Sequence, residues 1–158
     1  MASRRPRPIP DSYRRVTPCL VVRRGDEALK FYAAVFGATE RMRIPNPDGT
    51  VAHAEIEIGD SVLIVEEQSS DFGTKAPPPE GLAGSPAFLY TYVEDVDDVV
   101  ARAAKRGAKL QRPPQDQFYG DRDGYLIDPF GHGWTIATHV EDVEPAEMMR
   151  RMAEMQGV

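Results

Sequence analysis

His53, Glu55 and Glu57 stand at every second position of the run Val51–Ile58. In a strand that rises roughly 3.3 Å per residue, three such side chains share one face, about 7 Å apart per step. The row has three readings: a solvated polar face at a sheet edge, a set of contacts to a bound ligand, or a displaced metal site whose side chains converge only with effort. His53 and Glu57 also offer acid–base chemistry. Cys19 is the single cysteine of the chain, which excludes an internal disulfide and a Cys-rich zinc site. It reads as a buried structural thiol or as a nucleophile, and a nucleophile needs a neighbouring base that the sequence does not place. Asp121 and Arg122, beside Tyr119, form a local ion pair or close over a ligand. His132 belongs to a turn, and His139 follows the last strand at the surface.

The elements that must position these residues are read from hydrophobic period and turn chemistry. Residues 1–15, with Arg4, Arg5, Arg7 and three prolines, form a mobile arm. Val16–Val22 is β-branched and apolar, which predicts a strand. Asp26 then caps a helix to Phe36 with Ala28, Leu29, Phe31, Tyr32, Val35 and Phe36 as its buried stripe, and Gly37 ends it. Strands follow over Glu40–Ile44, Val51–Ile58 and Val62–Glu66, the last two joined by a three-residue turn at 59–61. This gives a first module at 16–67. Residues 68–86 are rich in Pro, Gly and Ser and form a linker. The same order restarts in a second module at 87–140. It has a strand at Ala87–Val93, a helix capped by Asp95 with Val96, Val99, Val100 and Ala103 inside, and a short strand at Lys109–Arg112 stopped by Pro113-Pro114. Strands at Gly124–Ile127 and Gly133–Thr138 complete it. Val22 thus stands opposite Val93 in an internal repeat. Residues 141–158 hold a C-terminal helix over Glu144–Gln156. Its Met148, Met149, Met152 and Met155 lie on one side, packed on the chain itself or on a second subunit. The fold class is α+β, two βαβββ modules with a C-terminal helix.

Composition removes several function classes. Twenty-five acidic against 19 basic residues give a net charge of −6, a poor match for duplex nucleic acid. No apolar run nears the roughly 20 residues of a membrane span. No apolar segment follows the N-terminal arginines, so a secretory signal is not expected and the expected location is cytoplasmic.

Paired βαβββ modules resemble the vicinal-oxygen-chelate superfamily, also called glyoxalase/bleomycin-resistance/extradiol-dioxygenase. Ala28-Leu29-Lys30-Phe31-Tyr32 with Phe36-Gly37-Ala38 is similar to that family's first helix and its end. Tyr125-Leu126-Ile127-Asp128-Pro129-Phe130-Gly131-His132 is similar to its last hairpin. Asp116-Gln117-Phe118-Tyr119-Gly120-Asp121-Arg122, with His53-Ala54-Glu55-Ile56, resembles a branch labelled demethylubiquinone methyltransferase-like, although nothing here looks like a methyl-donor site.

The resemblance implies metal ligands at two strand positions per module. Carried over singly, these fall on Thr17, Leu63, Phe88 and Thr135, which offer no charge and only neutral oxygens. The expectation is no metal at the family's usual position and no cofactor, which disfavours glyoxalase, dioxygenase and epimerase chemistry. Strand alternation from those positions lines the implied cleft with an aromatic wall (Phe88, Tyr90, Tyr92), with Thr135, and with the row His53, Glu55, Glu57, and it places Leu63 and Val65 on the same face as that row. Asp121 and Arg122 complete the candidate ligand-binding set. The expected function is metal-free binding of an aromatic or cationic small molecule in a cleft between modules, in the manner of bleomycin-resistance members. The alternative is a metal-dependent or acid–base enzyme of the same superfamily, a lyase, isomerase or dioxygenase. A homodimer is implied by the resemblance; no nucleic-acid or membrane partner is expected.

Overall fold

The computed structural model describes residues 7–82, 85 and 87–157. Arg4 and Arg5 of the basic arm, and positions 83, 84 and 86 of the linker, lie outside the described residues. The chain forms two compact units that meet in sequence between Ala76 and Pro77.

The first unit runs β1 (Cys19–Val22), α1 (Gly25–Phe36), β2 (Thr39–Pro45), β3 (Val51–Ile58) and β4 (Ser61–Glu67). Its sheet order is β1-β4-β3-β2, with β1 parallel to β4 and the other pairs antiparallel. One face is apolar. Leu20, Val22, Ala54, Ile56, Leu63 and Val65 are buried there together with Ala28, Leu29, Tyr32 and Val35 of α1. The helix begins at Gly25, one residue before Asp26, and its cap residue is Arg24. The Gly25 amide donates to Glu67 Oε1 at 2.8 Å, so a carboxylate from β4 satisfies an amide that has no partner within the helix. A Cβ at Gly25 would lie 2.6 Å from Val51 Cβ, which is why glycine fits this crossing. Asp26 instead meets Arg43 of β2 at 2.5 Å. Gly37 ends the helix at φ 67, as its position predicts.

The second unit repeats the plan: β5 (Leu89–Tyr92), α2 (Val96–Lys105), β6 (Lys109–Asp116), β7 (Asp121–Ile127) and β8 (Gly133–His139), in the order β5-β8-β7-β6. Asp95 caps α2 by accepting the Asp98 amide at 3.0 Å. Val96, Val99, Val100 and Ala103 are buried, as their spacing predicts, with Leu126, Trp134 and Ile136 from the sheet. Trp134 Nε1 donates to Asp128 Oδ2 at 2.9 Å, and Asp128 Oδ1 accepts the Phe130 and His132 amides at 2.9 and 3.0 Å. The buried aspartate thereby locks the hairpin turn that the sequence places at 128–132.

The strand at Lys109 does not stop at Pro113-Pro114; β6 passes through both prolines to Asp116. It is an edge strand, and its register shifts between Arg112 and Gln115, so the missing amides fall in a bulge. α3 (Pro145–Gln156) has Pro145 in its first turn and no buried residue. Arg151 ties it back, bonding Glu141 at 2.7 and 2.9 Å. Among the described residues no helix is long and apolar enough to cross a membrane.

Candidate functional sites on the open sheet faces

Each sheet covers one face with its helix and leaves the other for polar and aromatic side chains. In the first unit the pairing corrects one expectation. Gly59 and Asp60 alone make the turn, so Ile58 pairs with Ser61, Glu57 with Val62, Glu55 with Ile64 and Ile56 with Leu63. Leu63 and Val65 therefore face the core under α1, not the His53 row. Gly59 at φ 57 supplies the positive torsion that a two-residue hairpin loop requires. One residue of slip exchanges every side chain between faces.

The corrected register brings Glu66, which the sequence reading missed, onto the open face with His53. His53 Nδ1 lies 2.9 Å from Glu66 Oε1, and Nε2 lies 3.3 Å from Glu55 Oε1. Bonding to Glu66 raises the His53 pKa despite the cost of burial, with Glu55 adding to it. Glu55 is 5% exposed. It also accepts the Tyr13 hydroxyl at 2.5 Å, and this bond holds its carboxyl below the usual range. Arg41 stacks over the Tyr13 ring at 5.1 Å and donates to Ser12 O at 3.2 Å. Tyr13, expected in a mobile arm, is thus held across the polar row. Glu57 lies on the same face and takes no side-chain hydrogen bond among the described residues. Cys19 is exposed, not buried, and its thiol is pushed up to about 11 by partial burial and then by Glu66, which disfavours a thiolate nucleophile.

In the second unit the open face carries Tyr90, Tyr92, Thr135, Asp121 and Asp123, with His139 at the end of β8. Asp121 is 3% exposed and Asp123 fully buried. Asp121 Oδ2 accepts the hydroxyls of Tyr90 and Tyr92 at 2.8 and 2.9 Å; Oδ1 lies 2.8 Å from His139 Nδ1. His139 Nε2 is in turn 2.8 Å from Asp142 Oδ1. Burial alone would raise the Asp121 pKa, but the bonds from His139, Tyr90 and Tyr92 outweigh it and the net direction is down. Asp142 and then Asp121 raise that of His139. Burial, followed by the Asp121 bond, drives Tyr90 well above the ordinary phenol value. Asp123 accepts from Gln117 at 2.9 Å and from Tyr119, and pairs with Arg112 at 2.5 Å.

The outer part of this patch is aromatic. The rings of Tyr90 and Tyr92 lie 5.4 Å apart, and Phe88 meets Tyr125 edge-on at 5.9 Å. Phe88, Tyr90 and Tyr92 all expose ring surface, while Thr135 is buried opposite Tyr90. Arg122 departs from this set. It alternates onto the helix side, where Nε and NH2 grip Asp97 of α2 at 2.7 and 2.9 Å and NH1 bonds Asp116 at 3.1 Å. The expected Asp121–Arg122 ion pair is absent because adjacent strand residues point to opposite faces.

Pairing also tests the family's metal positions. Cys19 stands beside Ile64 as Tyr90 stands beside Thr135, so Ile64, not Leu63, is the counterpart of Thr135. Its side chain has no donor atom, so Thr17, Ile64, Phe88 and Thr135 do not fit a divalent cation. Among the described residues, no group of three or more His, Cys, Asp or Glu side chains is disposed to hold a metal ion.

Comparison with known proteins agrees with this architecture. An uncharacterized protein of Mycobacterium tuberculosis strain H37Rv is 36% identical over 139 residues, covering 87% of this chain and 82% of the relative. The crystal structure of TioX from Micromonospora sp. ML1 matches with a TM-score of 0.59 and 25% identity, over 79% of this chain and 99% of TioX. A putative 3-demethylubiquinone-9 3-methyltransferase, PhnB protein, from Bacillus cereus shares the fold with a TM-score of 0.62 at 19% identity, over 79% of this chain and 99% of that one. The sequence profile of the Glyoxalase/Bleomycin resistance protein/Dioxygenase superfamily matches residues 14–136. With that match across most of both units, the chain belongs to the glyoxalase/bleomycin resistance protein/dioxygenase superfamily.

Proposed function

We propose that the chain is a metal-free binding protein for an aromatic, cationic organic molecule, held on the open face of its second sheet. The observation that carries this reading is the convergence of Tyr90 and Tyr92 on buried Asp121. Both hydroxyls point at the carboxylate, so the two rings are fixed in direction while their outer surfaces face solvent. Ring faces attract cations, and a buried carboxylate behind them strengthens that field. Phe88 extends the apolar area that a flat ligand would cover. The poor donor set at the family's metal positions supports binding without a metal. In the test, purified chain is screened by thermal shift against planar cations and uncharged compounds of the same size. A rise in melting temperature confined to cations, without turnover, supports the reading; no stabilisation by any planar cation counts against it.

A second reading, an acid–base enzyme, is favoured by His53 lying between Glu66 and Glu55. It requires product formation that is lost in His53→Gln. A homodimer is the assembly that family membership suggests, and sedimentation of the full chain measures it.

A further inference from the structure

The β2–β3 turn, the end of β4 and the segment that follows it border a half-open cavity of about 560 Å³ in the first unit, within the size range of small-molecule sites. All its lining residues belong to the first unit, whereas the aromatic patch is built from residues of the second. Its wall is polar. Asp48, His53, Glu66 and Glu67 line it with the amides of Asn46 and Gln68 and the hydroxyls of Thr50, Ser69 and Thr74. Phe72 adds one ring at the rim, 85% exposed. No lysine or arginine is among the lining residues.

The hydrogen bonds that build this wall leave it rich in acceptors. Asp48 Oδ1 takes both the Thr50 amide at 3.0 Å and the Thr50 hydroxyl at 2.6 Å. Glu67 Oε1 takes the Gly25 amide. The second oxygen of each carboxylate is uncommitted among the described residues. Asn46 donates its amide nitrogen to Thr50 Oγ1 at 2.9 Å, and Gln68 accepts the Ala76 amide through Oε1 at 3.2 Å. This leaves Asn46 an acceptor and Gln68 a donor pointing away from those bonds. Against three carboxylates the one group able to carry positive charge is His53, already held by Glu66.

We infer that this cavity is a second binding site, for a small hydroxylated aliphatic amine. The ammonium is matched to the carboxylates of Asp48, Glu66 and Glu67. The hydroxyls of such a ligand are matched to Asn46, Gln68, Ser69 and Thr74, and the ring of Phe72 covers its carbon chain or ammonium. An anion is repelled, and an apolar ligand would leave these polar groups without partners.

Three six-carbon probes separate charge from shape: glucamine, sorbitol and gluconate carry an ammonium, a hydroxyl and a carboxylate at the same end. Each is titrated into the full chain while backbone amide shifts are followed by NMR. The expected result is saturable binding of glucamine with shifts confined to residues 46–53 and 66–74. Sorbitol should bind at least tenfold more weakly and gluconate not at all. Asp48→Asn, which keeps the oxygen that accepts from Thr50, and Phe72→Ala, at an exposed rim position, should each weaken glucamine at least fivefold. Lys105→Ala, at an exposed position of α2, should leave it unchanged. Equal binding of glucamine and sorbitol, shifts clustered elsewhere, or indifference to both cavity variants would overturn the inference.

Discussion

His139 Nδ1 lies 2.8 Å from Asp121 Oδ1, on the carboxylate whose other oxygen holds both Tyr90 and Tyr92. One buried group therefore sets the direction of two aromatic rings and, after Asp142, helps raise the pKa of one imidazole. Asp121→Asn keeps an oxygen for the phenols but removes the charge. Hydrogen bonds to charged groups are worth about 1.5–3 kcal/mol, so a loss of about 2 kcal/mol is expected in denaturant unfolding. The His139 pKa, followed by NMR, should fall toward the ordinary value in the same variant.

Stability should pass through a maximum with pH. His53 is raised chiefly by Glu66 and His139 chiefly by Asp142. A raised pKa in the folded state contributes stability that is complete below the ordinary histidine value of about 6.5, and it is lost as pH climbs through the folded value. Glu55 is lowered chiefly by Tyr13, and Asp121 is lowered against the opposing effect of burial. Their contribution is complete above the ordinary carboxylate value of about 4 and is lost as pH falls through the folded value. Urea midpoints measured from pH 3 to 9 should therefore peak between those two values and decline on both sides.

The register of β4 can be read from two neighbouring truncations. Leu63→Ala removes a buried side chain beneath α1 and should cost about 2–5 kcal/mol. Ile64→Ala, on the half-open face beside Cys19, should cost well below that. The opposite order in chemical denaturation would restore the three-residue turn.

Tyr13→Phe deletes the hydroxyl that Glu55 accepts and leaves the ring under Arg41. The Glu55 carboxyl should then titrate at higher pH than in the parent chain, as carbon-detected NMR of its side chain would record.

Much of the fold was readable in the sequence because its local signals agree with one another. The stripes of α1 and α2, the Asp95 cap, Gly37 and the Asp128–His132 turn each carry a distinct period or backbone requirement. The open faces were harder to read. Gly120-Asp121-Arg122-Asp123-Gly124 has the composition of a turn, and its place in β7 depends on His139, Arg112 and two tyrosines brought from elsewhere in the unit to neutralise the carboxylates. Asp123 was missed for that reason, and His139, read as a surface residue after the last strand, was not linked to Asp121. Glu66 was missed through a single residue of turn length, which also misplaced Leu63. Tyr90 and Tyr92 share one face of β5 because simple alternation, with no hairpin to count through, fixes it.

The central claim is that the Tyr90–Tyr92 pair over Asp121 receives a flat cation. Its most direct test is an NMR titration of the full chain with proflavine, a planar cation, and with acridine, its uncharged counterpart above neutral pH. The claim predicts proflavine-induced shifts centred on Tyr90, Tyr92 and Asp121, at least tenfold weaker binding of acridine, and loss of proflavine binding in the double variant Tyr90→Ala/Tyr92→Ala. Equal affinity for the two compounds, or full proflavine binding by that double variant, would contradict it.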